Sequence, residues 1–274
     1  MTPSSVTAHL RAILAAANER HHPGGLGTMT DQSNSNQRLR AQVAAATRLM
    51  VMEDLIDYSG HVSVRVPGRE AFFIQPGIQP RSDVTADSLL MVGFDGKVIE
   101  GDQRPPVEIP IHSEIYKARP DVQAVVHSHM ELAIMFTMME NVQLKPMRAR
   151  AIRWRSGIPM DDDPSHIKTT VQGVKLAKTL GPHHAGLMRA HGSVLVAESV
   201  PALLVDAVHF DENARAQMTV LQAGREPKAL TDAELEMIDK HEMREFHVDK
   251  LWRFYTQKGL RQGVIAEGAD LLFD

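Results

Sequence analysis

Residues 61–66 alternate strictly, with Val62, Val64 and Val66 on one face and His61, Ser63 and Arg65 on the other, which is the period of a β-strand. A strand this short needs partners. Residues 71–75 and 89–93 read the same way, and Asp95-Gly96 is a hairpin signal leading into 97–100. Helical spacing frames this run. Residues 37–56 place Leu39, Val43, Ala46, Leu49, Met50 and Ile56 on one side, with Gly60 just beyond. Residues 110–118 read as a helix with proline in its first turn, and 121–129 as a buried strand ending in polar residues. Further on, 131–139 is a predicted helix and 165–180 another, capped by Ser165 and stopped by Gly181. Residues 186–197 hold a strand, 199–223 a long helix and 231–258 a charged helical section. Hairpins mixed with covering helices predict the α/β class, with a mixed sheet carrying helices on both faces.

Residues 21–36 are rich in Gly, Ser, Asn and Thr without periodicity and read as a flexible joint, preceded by a short helix over 8–18. The expected organisation is therefore an N-terminal helix and joint (1–36), a main domain (37–224) and a C-terminal helical extension (225–274). The 30 Lys+Arg against 34 Asp+Glu give a net charge of −4, with no basic stripe to suggest nucleic acid. No apolar run approaches the roughly 20 residues that span a bilayer, and residues 1–20 lack a signal peptide's basic start and apolar core. A cytoplasmic protein, off the membrane, is the expectation. Cysteine is absent while histidine occurs 14 times. That excludes disulfides, thiolate metal sites and cysteine nucleophiles, so any metal must be held by His, Asp or Glu.

The most informative segment is Val125-Val126-His127-Ser128-His129. On a strand, residues two apart share a face, which brings the His127 and His129 imidazoles to one space about 6–7 Å apart along the backbone. Such a pair suits a metal, yet a solvated strand end looks the same. Two further residues can complete a site. Ala190-His191-Gly192 stands at the mouth of another apolar strand, and Glu108 precedes a predicted helix, where its charge also favours a helix N-terminus. Three neutral histidines and a carboxylate with an open position would form a catalytic metal site.

The ordered segments Gly60-His61-Val62-Ser63-Val64-Arg65, Thr85-Ala86-Asp87-Ser88-Leu89-Leu90, Asp95-Gly96-Lys97-Val98, Glu108-Ile109-Pro110-Ile111-His112, His127-Ser128-His129 and Arg189-Ala190-His191-Gly192 resemble the class II aldolase/adducin family from about residue 37 to 224. The resemblance implies a three-layer α/β/α sandwich around a central mixed, largely antiparallel sheet. It also implies a homo-oligomer, a tetramer or a dimer of tetramers, with sites between subunits. It makes His127, His129 and His191 ligands of one divalent metal per subunit, Mn or Zn ahead of Fe or Co, and Glu108 the catalytic acid/base. The extension 225–274 would then lie at a subunit interface.

Sugar-phosphate members of the family bind phosphate through a Gly-Asn-x-Ser loop, a Ser-Gly turn and a Ser-Ser pair. This chain has His61 in place of the asparagine, Pro76-Gly77 near the turn and Pro106-Val107 before Glu108, retaining Ser63. Most side-chain phosphate donors are therefore missing, and an unphosphorylated carboxylate substrate is expected. Arginine forks suit carboxylates, which makes Arg65, Arg81, Arg148 and Arg150 candidate substrate-binding residues beside His61, Ser63 and Tyr255, although each arginine alone reads more readily as a solvated surface residue. The histidine and the Pro-Pro-x-Glu stretch are similar to the branch with 3-hydroxy-2-methylpyridine-4,5-dicarboxylate decarboxylase. The implied reaction is loss of CO2 from a hydroxyaromatic dicarboxylate through a metal-stabilised enolate. An aldolase, an iron-dependent oxygenase on a hydroxyphenyl acid and a non-catalytic adducin-like assembly domain are the alternatives.

Overall fold

The computed structural model describes residues 27–266; the short helix expected over 8–18 lies outside them. The described residues from Gln37 to 266 belong to one compact unit. Helix α1 covers Gly27–Met52, so the second half of the expected joint is helical instead. Its Ser- and Asn-rich composition concealed a helix whose apolar face begins only further along.

The strands are β1 (His61–Arg65), β2 (Ala71–Ile74), β3 (Leu90–Gly93), β4 (Val98–Glu100), β5 (Ala124–Ser128), β6 (Met160–Asp161), β7 (Ala185–Met188) and β8 (Gly192–Ala197). They form one sheet in the order β4-β3-β2-β1-β5-β8-β7-β6. Every neighbouring pair is antiparallel except β6 and β7, which run parallel. The remaining helices are α2 (Ile109–Ala118), α3 (Glu131–Thr137), α4 (Thr170–Leu180), α5 (Val200–Gln222), α6 (Asp232–Asp239) and α7 (Arg244–Arg261).

Strand alternation divides the core into two halves. Val62, Val64, Val126, Leu195 and Ala197 pack with Leu49, Leu203, Phe210 and Trp252 of α1, α5 and α7. On the opposite face Phe72, Ile74, Val125, Val194 and Val196 pack with Ile111, Ile115, Leu176 and Leu180 of α2 and α4. The result is the expected three-layer sandwich. The second face of β1 is covered too, so His61 and Ser63 are buried rather than solvated. Helices α2 and α4 approach closely because Gly173 has no side chain: a Cβ there would lie 2.5 Å from the Pro110 carbonyl oxygen.

Three local expectations change. The helix expected from 165 starts at Thr170 and is capped by Thr169, whose hydroxyl accepts from Gln172 N–H in a reciprocal capping box. The 186–197 strand is two strands joined by a turn in which Ala190 has φ +52°. The section 231–258 breaks into α6 and α7. Among the described residues no helix is long and apolar enough to cross a membrane.

Helix α7 is tied to the body by charge as well as by Trp252. Buried Asp206 receives Arg244 at 2.8 Å and Arg153 at 3.2 Å, and Glu198 meets Arg153 at 2.8 Å. Burial opposes the charge on Arg244, but Asp206 and Glu198 outweigh it and hold this guanidinium above its ordinary range. Removing one partner of a buried pair costs about 3–5 kcal/mol. Glu198 still serves both arginines, so Asp206→Ala is expected to lose about 2–3 kcal/mol in urea unfolding. An unchanged midpoint would show that the arginines are solvated without it.

Candidate metal centre

His127 and His61 stand opposite each other in the β5–β1 ladder, on the face covered by α2. His127 is fully buried and its Nδ1 lies 3.1 Å from the Ser193 carbonyl of β8. A carbonyl only accepts, so Nδ1 carries the proton and Nε2 holds a lone pair. His129, one residue beyond the end of β5, places Nδ1 3.0 Å from Asp57 Oδ2. In the neutral ring Nε2 is therefore also a lone pair, and it faces His127 Nε2 at 3.1 Å. Two lone pairs at this distance repel, and a cation between them turns the repulsion into coordination.

His191 arrives from the neighbouring strand. The tight Met188–Gly192 turn places it, and Gly192 makes room: a Cβ there would sit 2.7 Å from Ser128 O and 2.9 Å from His127 Cε1. Both ring nitrogens of His191 are buried without a hydrogen-bond partner. Buried polar atoms are normally satisfied, and Nε2, on the side of Glu108, is the nitrogen free to take a metal. Glu108, at the N-cap of α2, brings Oε2 to 3.4 Å from His127 Nε2 and Oε1 to 3.4 Å from His191 Nε2, both outside hydrogen-bond geometry. Ile167 N–H donates to Oε1 at 3.0 Å.

One ligand atom from each of Glu108, His127, His129 and His191 lies within 4.8 Å of the others. Three imidazoles and a carboxylate suit a divalent first-row metal, and the orphaned His191 nitrogens together with the opposed lone pairs show that the residues present fit one. Burial opposes ionisation of Glu108; protons on His127 and His191, or a cation in their place, outweigh it and hold the carboxyl far below the usual carboxylate range. Burial pushes His127 down despite Glu108, keeping the imidazole neutral for coordination.

Asp57 and His166 carried no signal in the sequence reading. Asp57 Oδ1 accepts from Ser59 N–H at 2.8 Å and Gly60 N–H at 3.0 Å, which leaves Oδ2 aimed at His129. Asp57-Tyr58-Ser59-Gly60, an aspartate followed two residues on by Ser-Gly, is an Asx-turn signature that can find it. His166 is exposed at the cluster's edge, its ring 4.9 Å from that of His191 and its Nδ1 3.5 Å from Glu108 Oε1. It sits in an aperiodic loop that offers no pattern. Because a carboxylate behind a ligand histidine fixes its tautomer, losing it typically costs 10–100-fold in affinity. Asp57→Asn is expected to weaken Zn²⁺ binding by about this factor in competition with a chelator; unchanged affinity would mean that His129 needs no partner.

The other candidates lie in different places. Arg81 is buried, donating to the carbonyls of Gly60 and Gln79, both at 2.6 Å, and to Pro76 at 3.3 Å. Arg65 donates to Val122 O, Tyr116 O and Arg119 O at 2.9, 2.8 and 3.0 Å. Both guanidiniums clamp loops and are not directed at the cluster. Arg148 pairs with Glu212, and Arg150 reaches His209 Nε2 at 3.4 Å. Arg150 lines a separate cavity of about 670 Å³ together with Arg153, His209 and Arg244, which no cluster residue lines. Tyr255 of α7 is half-buried against the first core half, and burial pushes its hydroxyl up to about 12. Ser63 is buried beneath His61, bonded to His112 and Tyr116.

Residues 41–218 match the model of the Class II Aldolase and Adducin N-terminal domain family, and the chain belongs to that family. Relatives include 3,4-dihydroxyphthalate decarboxylase of Rhodococcus jostii strain RHA1, 27% identical over 211 residues that cover 72% of this chain and 86% of the relative. Among solved structures, an aldolase II superfamily protein from Pseudomonas syringae superposes with a TM-score of 0.72 at 22% identity, covering 91% of this chain and 98% of the other. L-Fuculose 1-phosphate aldolase from Glaciozyma antarctica PI12 also gives 0.72, at 20% identity over 88% of this chain and 95% of its own.

Proposed function

We propose that the protein is a divalent-metal-dependent carboxy-lyase that removes CO2 from an unphosphorylated hydroxyaromatic dicarboxylate. The observation that carries this reading is the Glu108–His127–His129–His191 cluster, in which the histidines turn unprotonated or unpartnered nitrogens toward one another beside a carboxylate. The decarboxylase relative favours CO2 as the leaving group. The loops near the cluster argue against phosphate. Gly77 N–H is spent on Arg104 O at 2.9 Å, and Arg81 is consumed by carbonyls.

His127, His129 and His191 would hold the metal. When bound, it supplies Lewis-acid stabilisation of negative charge on a substrate oxygen. Glu108, ionised and held by Ile167 N–H through Oε1, takes the ring hydroxyl proton on Oε2. Glu108 delivers this proton to the ring carbon that bears the carboxylate, which becomes tetrahedral while the ring oxygen becomes a carbonyl. The bond to the carboxylate carbon then breaks, CO2 leaves, and the bonding pair passes through the ring onto that oxygen, restoring the aromatic ring. Protons and charge balance: the hydroxyl proton ends in the new C–H bond, and the carboxylate's charge ends on the ring oxygen. We further propose that the subunits assemble as a homo-oligomer, a tetramer or a dimer of tetramers, with 225–274 at the interface.

Metal analysis coupled to a CO2-release screen over hydroxyphthalates and hydroxypyridine dicarboxylates tests the reading. Release that depends on bound metal supports it. An aldehyde product without CO2 would assign the same cluster to aldol cleavage, the reaction type that the structural neighbour's name carries. No product from any acid would overturn the substrate class.

A further inference from the structure

His61 is the cluster-side end of a buried hydrogen-bond chain. Its Nδ1 is 2.7 Å from His112 Nε2, His112 Nδ1 is 2.6 Å from Ser63 Oγ, and Ser63 Oγ is 2.8 Å from the Tyr116 hydroxyl. All four residues are at most 2% exposed. Each link shares a single proton, so one end of the chain sets the direction of the whole. At the far end the Tyr116 hydroxyl has two acceptors to choose from, Ser63 Oγ at 2.8 Å and the Gln123 carbonyl at 3.5 Å. An O–H···O bond is best near 2.7–2.8 Å, so Tyr116 donates to Ser63. Ser63 must then give its own proton to His112 Nδ1. Burial pushes His112 down to about 3, so it is neutral, with its one proton on Nε2. That proton goes to His61 Nδ1.

We infer that Tyr116, acting through Ser63 and His112, locks His61 as the Nε2–H tautomer, making it a hydrogen-bond donor to a carboxylate or oxyanion of the substrate rather than a metal ligand or a base. Nδ1 is turned to α2, and Nε2 lies across a ring centred 5.0 Å from the His127 ring. Among the described residues no hydrogen bond occupies that nitrogen. Because Nδ1 accepts the His112 proton, the ring carries its one proton on Nε2 and offers a donor without a buried cation. Tyr116, Ser63 and His112 are positioning residues. The anionic acceptor rests on the proposed function; the tautomer does not.

The test is long-range ¹H–¹⁵N spectroscopy of the full-length ¹⁵N-labelled protein, before and after Zn²⁺ addition, with phthalate as the binding probe. The expected spectrum has His61 protonated at Nε2 in both states. In Tyr116→Phe and, as a second route, Ser63→Ala, both tautomers become populated, and phthalate binding weakens by the fraction lost, about two- to tenfold. A wild-type His61 protonated at Nδ1, or one that sheds its Nε2 proton when Zn²⁺ binds, would overturn the inference. So would mixed tautomers with unchanged phthalate affinity. An Nε2–H His61 in a protein that binds neither phthalate nor any hydroxyaromatic acid leaves the locked tautomer standing and removes the proposed substrate class.

Discussion

His191→Ala is expected to abolish metal binding and activity while leaving the metal-free protein about as stable as before. Both ring nitrogens of His191 are buried without a hydrogen-bond partner, and an unsatisfied buried polar group costs about 1–3 kcal/mol. Deleting the ring relieves that cost, which offsets the packing it forfeits. The loss appears only when the metal is needed. Lewis-acid stabilisation is worth several kcal/mol, and each 1.36 kcal/mol is tenfold in rate, so kcat/KM should fall by about 10³-fold or more. The measurements are metal content by mass spectrometry, kcat/KM, and the Tm of chelator-treated protein. Full metal retention, or collapse of the metal-free fold, would make His191 a packing residue instead.

Glu108→Gln should separate proton transfer from ligation. The amide oxygen can still accept from Ile167 N–H, which reaches Oε1 at 3.0 Å, so the N-terminus of α2 keeps its shape. The three histidines remain, and the metal should stay bound. What is lost is a group able to take and return a proton, and such groups contribute about 10²–10⁴-fold. A kcat reduced by that factor at near-normal metal content is the expected result. Retained activity would leave Glu108 as a helix-terminal charge and move the proton to another group, with His166 nearest to hand.

What the sequence revealed of the site follows how each residue is positioned. His127 and His129 are set by local geometry, two apart along one strand, and that period is visible in a pentapeptide. His191 reaches them only because β8 lies beside β5, a pairing that no spacing encodes, so the chain alone marks it as a histidine at a strand mouth and the ordered resemblance makes it a ligand. Asp57 was missed because its task depends on His129, far along the chain. Arg65 and Arg81 sit close in sequence to the expected substrate loops, but in space their guanidiniums are taken up by backbone carbonyls. A charged side chain beside a site serves as readily to brace the loop as to face the ligand, and only the carbonyls' positions distinguish the two. The fold was more legible, since alternation and helical period are local. Its main departure, the start of α1 at Gly27, falls where composition favoured a loop and periodicity was silent.

His127 belongs to β5, His129 directly follows it, and His191 abuts β8, two strands inside a sheet whose ladder continues on both sides. Glu108, Asp57 and His166 instead enter from the ends of helices and from loops. Divergence can therefore proceed in two registers. Loops can lengthen, shorten or exchange side chains without disturbing the spacing of the imidazoles, whereas a one-residue slip of β5 against β8 would turn His127 to the opposite face. The sheet thus acts as the heritable part of the catalyst, and the surrounding loops as the part open to retuning.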